Sequence, residues 1–141
     1  MKKSLILLLI SFLSLSTALA GEPVDPIDLP DVVSRFLDLH FPGVHIEKAE
    51  KGYGRFGAEY DIDLATGAEI DILENGDWTE VKAAPDKAVP GAIVPPKIAE
   101  YVTKDFAGHK IIGISRKKGG YKLELWNGTE LRLSEDAEPL Y

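Results

Sequence analysis

A chain of 141 residues with 23 acidic against 16 basic side chains, and a formal charge of −7, is poorly suited to nucleic acid or anionic lipid, which both reward clustered cations. It contains no cysteine. Disulfides, thiol nucleophiles, thiolate metal sites and Cys-linked lipid anchors are therefore excluded.

In chain order, Lys2 and Lys3 precede the apolar run LILLLISFLSLS, and Ala18-Leu19-Ala20 supplies the small residues of a cleavage site. Residues 1–20 read as a secretory signal peptide, since the run is shorter than the ~20 apolar residues that span a bilayer. Removing them takes away two lysines and no acid, so the remainder from Gly21 carries −9. No membrane anchor is expected, and the periplasm is the expected location. About 120 residues can bury one real core, whereas half that length would be marginal alone. Residues 21–141 read as one domain.

Leu29, Val33, Phe36, Leu37 and Phe41 recur as Val94, Ile98, Tyr101, Val102 and Phe106 with helical spacing, which predicts two amphipathic helices. Pro30 and Pro95-Pro96 stand where a missing N–H is harmless, and Gly43 and Gly108 mark the stops. Extended segments follow each helix, Val44 to Lys51 and Lys110 to Arg116, with imperfect alternation that allows a bulge in either. Next come YDIDLATGAEIDIL (residues 60–73) and YKLELWNGTELRLS (residues 121–134), which match at Tyr60/Tyr121, Leu64/Leu125, Gly67/Gly128 and Glu69/Glu130. Opposed residues of paired strands must share a face. That requirement selects a three-residue loop, Ala65-Thr66-Gly67, opposing Leu64 to Ala68, Ile62 to Ile70 and Tyr60 to Ile72. Trp126-Asn127-Gly128 serves the second copy. Glu74-Asn75-Gly76-Asp77 forms a turn into a strand from Trp78 to Lys82, residues 83–92 are a Pro-punctuated link, and the last strand of the second copy is absent or very short. The expectation is an α+β fold: two repeats, about 28–82 and 93–141, each a helix followed by an antiparallel meander, with all strands in one antiparallel sheet and both helices on one face.

The helix opening at proline, the F-x-G after it, Y-x-[IL]-x-L-x-x-G-x-E-[IL] and then E-N-G-D-W, duplicated behind a signal peptide, resemble the PepSY-like periplasmic proteins. The resemblance runs from Leu29 to about Ser134 and departs at the missing final strand. It implies a fold like that of β-lactamase inhibitor protein, and binding or restraint of other extracytoplasmic proteins, peptidases in particular. It carries over no catalytic motif.

The residues themselves point away from catalysis. His40, His45 and His109 form no H-x-x-x-H pair, so no metal site is expected from them. Ser34, Ser115 and Ser134 lack a nucleophile-elbow context, and GYGRFG (residues 52–57) lies between strands, not before a helix. No cofactor is expected. Tyr53, Arg55 and Phe56 are residue types that carry binding energy at interfaces. The preferred, plainer reading has Phe56 folding back to cap the sheet and Tyr53 covering it, with Trp78 and Trp126 as core lids. The register turns Asp61, Asp63, Glu69 and Asp71 outward, with Asp63 opposite Glu69 and Asp61 opposite Asp71. Glu124 opposes Glu130, and Lys122 opposes Arg132. Like charges directly opposite destabilise a sheet, so these acids are either a solvated face offset by neighbours such as Lys82, which is the preferred reading, or a docking face. Outward side chains on flat strands diverge, which disfavours chelation. The expected function is non-enzymatic binding of an unidentified periplasmic protein or peptide with a basic surface, through the open sheet face and its loops. The alternative is a cation or small-ligand sensor using the acidic face.

Overall fold

The computed structural model describes residues 21–140; the signal reading for residues 1–20 lies outside them. Pro30 and Pro95 take the N-cap positions of α1 (Asp31–His40) and α2 (Pro96–Asp105), with no side-chain capping bond at either. Proline has no N–H to leave orphaned there, so its fixed φ starts the helix without loss. Each helix closes on a phenylalanine: the Phe41 N–H donates to Leu37 O at 2.7 Å and the Phe106 N–H to Val102 O at 2.9 Å. Gly43 at φ 71 and Gly108 at φ 80 then reverse the chain in the left-handed region.

The strands are β1 (Glu22–Pro23), β2 (Ile46–Gly54), β3 (Gly57–Leu64), β4 (Glu69–Leu73), β5 (Trp78–Lys82), β6 (Ile111–Lys117), β7 (Gly120–Leu125) and β8 (Glu130–Ser134). They form one eight-stranded sheet in sequence order, with every neighbouring pair antiparallel. The fold is α+β, a helix and meander followed by a second helix and meander. Both allowed bulges are present, between Ile46 and Lys48 and between Ile111 and Gly113. The three-residue loop holds: the Leu64 N–H reaches Ala68 O and the Gly67 N–H reaches Leu64 O, both at 2.9 Å, with Gly67 at φ 94. Leu125, Thr129 and Gly128 repeat the pattern.

Two features differ from expectation and a third agrees with it. β1 was not foreseen, because a two-residue edge strand containing proline has no periodicity to read. β2 extends to Gly54, since paired backbone, not side-chain alternation, sustains it through Gly52 and Gly54. After β8 the chain turns back and touches it through a single bridge, Leu133 to Pro139, in keeping with a last strand that is very short.

The apolar faces of both helices and of the strands merge into one core, where Val33, Ile70, Ile72, Val81, Ile98 and Leu123 are fully buried. The two meanders join at β5 and β6 through Glu80–Ser115, Val81–Ile114 and Lys82–Gly113. Because this seam lies inside the core, the fold should melt as one unit. Ile114, 2% exposed, is the test residue: Ile114→Ala should cost about 2–5 kcal/mol. Hydrogen exchange should then accelerate together at Ile62 and Leu123, whereas acceleration confined to β6–β8 would show two separate folding units.

Candidate functional site

The helices cover one face of the sheet, so the residues alternating with the core project from the other. The register there is the one expected, Asp61 opposite Asp71 and Asp63 opposite Glu69. In the second meander Lys122 opposes Arg132 and Glu124 opposes Glu130. The acids then divide. Glu69 pairs with Lys82 Nζ at 3.5 Å, and Lys48 lies opposite Asp63 while bonding Glu50 at 2.8 Å. Asp61 and Asp71 instead converge with Glu59, so that one carboxylate oxygen from each lies within 4.8 Å of the others. The divergence expected of outward side chains fails here.

Two local features produce the convergence. A bulge in β4–β5 pairs Asp71 with Glu80 but Ile72 with Trp78, leaving Thr79 as the extra residue. The Thr79 hydroxyl donates to Glu59 Oε2 at 3.1 Å, with the Asp71 carbonyl oxygen 3.3 Å away as a second acceptor. Gly54 supplies the space, because a Cβ there would collide with the Glu59 carboxylate. Glu59 was legible in principle: it stands two residues before Asp61 on the same alternation. Thr79 was not, because a bulge inverts the parity that sequence reasoning relies on.

Arg55 and Phe56, at the tip of the β2–β3 hairpin, join Glu59, Asp71, Thr79, Glu80 and Ser115–Lys117 around a hollow of ≈130 Å³. A second hollow of ≈230 Å³ shares Glu80 and Ser115 and continues over Lys82, Gly113, Lys122 and Glu124. The plainer reading is corrected at Tyr53, which is 86% exposed because β2 and β3 run past the covered part of the core, whereas Phe56, 42% exposed, lies beside Glu59 and Asp71 on the sheet. Trp78 is a core residue at 8% exposed, with the Arg116 guanidinium 5.0 Å from its ring centre. Trp126 is no lid: the turn fixes its backbone through Lys110 O, but its side chain is 61% exposed.

Burial pushes the Asp71 carboxyl up to about 8, helped by its hydrogen bond and charge contact with Asp61 and by Glu80 and Glu59. Burial also raises Glu59, opposed by the Thr79 hydrogen bond and reinforced by the charges of Asp61 and Glu80. Near neutral pH the centre therefore retains a proton, which an arriving positive charge would displace. Glu59, Asp61 and Asp71 offer only oxygen, the donor set of a hard cation such as calcium or of a lysine or arginine head group.

Residues 58–138 match the family described as "Putative beta-lactamase-inhibitor-like, PepSY-like". The chain belongs to this PepSY-like family. The match includes Glu59, Asp61, Asp71 and Thr79, and begins after the tip residues Tyr53, Arg55 and Phe56. Three solved structures resemble the PepSY-like chain. One, from Bacteroides vulgatus, is described as a "putative periplasmic protein" of the DUF2874 family; it is 29% identical, with TM-score 0.78 over 86% of this chain and 94% of its own. Another, from Bacteroides thetaiotaomicron, is described as a "putative calcium-regulated periplasmic protein"; it is 26% identical, with TM-score 0.76 over the same shares. A third, also from Bacteroides vulgatus and of unknown function, is 29% identical, with TM-score 0.74 over 83% of this chain and 93% of its own. No curated protein matches the PepSY-like chain. Among the described residues, no helix is long and apolar enough to cross a membrane.

The raised Asp71 value fixes the sign of a pH effect. A carboxyl held above its ordinary value favours the folded state at low pH and takes stability away as pH rises from about 4 to about 8. Asp71→Asn should therefore melt progressively higher than the parent over that interval. Because Asp71 is only half-buried, solvent screening limits the gap to roughly 3 °C at pH 8. A gap independent of pH would show that Asp71 ionises normally.

Proposed function

We propose that this protein is a non-enzymatic periplasmic binding module that docks a basic segment of another extracytoplasmic protein onto its uncovered sheet face. The observation that carries this reading is the convergence of Glu59, Asp61 and Asp71 on a face that neither α1 nor α2 covers. A lysine or arginine head group can donate to several of these oxygens at once while losing the proton-sharing strain among them. The two continuous hollows extend the contact toward β7, and Arg55 and Phe56, which line the smaller one, offer anchors at its rim, whereas Tyr53 has the parity of the opposite face. Asp63 and Glu69 contribute a wider negative field, softened by Lys48 and Lys82. The family's likeness to β-lactamase inhibitors supports restraint of an extracytoplasmic enzyme as the consequence of docking. Location in the periplasm is supported by the descriptions of the Bacteroides relatives.

A second reading has its own support. Oxygens within 4.8 Å of one another can be spanned by calcium, whose ligands stand about 2.3–2.6 Å away, and one relative is described as calcium-regulated. The same centre would then be a cation sensor.

The two separate in one titration series on the chain from Gly21. Binding of a lysine-rich peptide should weaken steeply with salt, and Asp61→Asn with Asp71→Asn should lower its affinity at least about tenfold and flatten that slope. Saturable calcium binding that the double variant abolishes, with no peptide binding, would establish the sensor instead. Loss of neither in the double variant would place the site elsewhere.

A further inference from the structure

On the other side of the molecule, the end of α1, the β3–β4 loop and the link between the two meanders border an open cavity of ≈500 Å³. That volume is typical of small-molecule sites. Its walls are mainly apolar, formed by Phe41, Val44, Ala68, Ala84, Pro85 and Pro90. The backbone around it is held firmly. The Phe41 N–H bonds Leu37 O at 2.7 Å, the Lys87 N–H bonds Ala84 O at 3.0 Å, and the Val89 N–H bonds Ile111 O at 2.8 Å. Pro85 packs so closely on Gly67 that a Cβ there would stand 2.9 Å from its Cδ, and Gly67 at φ 94 needs to be glycine in any case. Prolines in the wall have little freedom to close the space.

The charge of this cavity differs from that of the rest of the surface. Acids outnumber bases by 23 to 16 in the chain, yet among the described residues no carboxylate lines the cavity, and Lys87 stands at its exposed rim. Among the described residues Lys87 makes no ion pair. His40, the other titratable lining group, is held below its ordinary value by burial, so at neutral pH the lysine supplies the positive charge. An apolar body and one anionic head would satisfy both features together.

We propose that this cavity binds an amphiphilic monocarboxylate of the fatty-acid class, with its tail against Phe41, Val44 and Pro90 and its carboxylate on Lys87. The site is independent of the acidic face and of the docking reading given above. Longer tails should bind more tightly, because each buried methylene removes further apolar surface from water.

The probe is decanoate, titrated into the isotopically labelled chain from Gly21 and followed by amide and methyl shifts, with decanol and decylamine as controls. Saturable shifts at Phe41, Val44, Ala68 and Ala88 are expected, with decanoate preferred over decylamine. Lys87→Glu should weaken decanoate at least about tenfold and leave decanol little changed. Ala88→Trp, at an exposed lining position, should block all three ligands; if that variant fails to fold, Lys87→Glu still decides. Absence of saturation, equal binding of decanoate and decylamine, or shifts centred on Asp61 and Asp71 would overturn the proposal. Concentration-dependent self-association that shifts the same residues without ligand would overturn it in favour of a second copy as the occupant.

Discussion

In an antiparallel ladder, residues directly opposite one another share a face, and nearly every feature of this protein depends on that parity. It sends Tyr60, Ile62, Ile70 and Ile72 together into the core beneath the two helices. By the same rule it cannot avoid placing Asp61 against Asp71 and Asp63 against Glu69 on the other side. The sheet tolerates the outer pair because lysines flank it at Lys48 and Lys82. At the centre Lys48 and Lys82 reach Asp61 and Asp71 through charge without an ion pair, Glu59 adds a third carboxylate, and the result is a group that prefers to keep its proton. The acidic centre thus accompanies core formation, on a face that neither α1 nor α2 covers.

Much of the architecture was legible for the same reason. Parity and the glycines at 67 and 128 determine both long hairpins, while helical spacing with Pro30 and Pro95 determines both helices. What escaped was wherever parity breaks or runs out. Thr79 turns to the outer side only because a bulge inserts it, and no side-chain pattern announces a bulge. Tyr53 has the correct parity for burial but lies beyond anything that could bury it. Trp126 is a large apolar residue in a turn whose backbone geometry decides its direction. The acidic pairs could be read in one dimension; their gathering around Glu59 needed the cross-strand Thr79 bond and the vacant Cβ of Gly54.

The two faces are also separable in function. The outer face is built from strand residues and the β2–β3 turn, whereas the cavity draws on a helix end, a loop and the inter-meander link. Substitutions in residues 84–90 can reshape the cavity without moving a residue of the acidic centre. The reverse holds for changes at Glu59, Asp61 and Asp71, which project away from the core.

The seam between β5 and β6 has a mechanical consequence. It is held by three residue pairs, while β2 and β3 are joined by eight. The hollow beside the acidic centre crosses this joint, taking Glu59 and Asp71 from one side and Ser115 to Lys117 from the other. A ligand filling it would touch both meanders at once and bridge the shortest ladder inside the sheet.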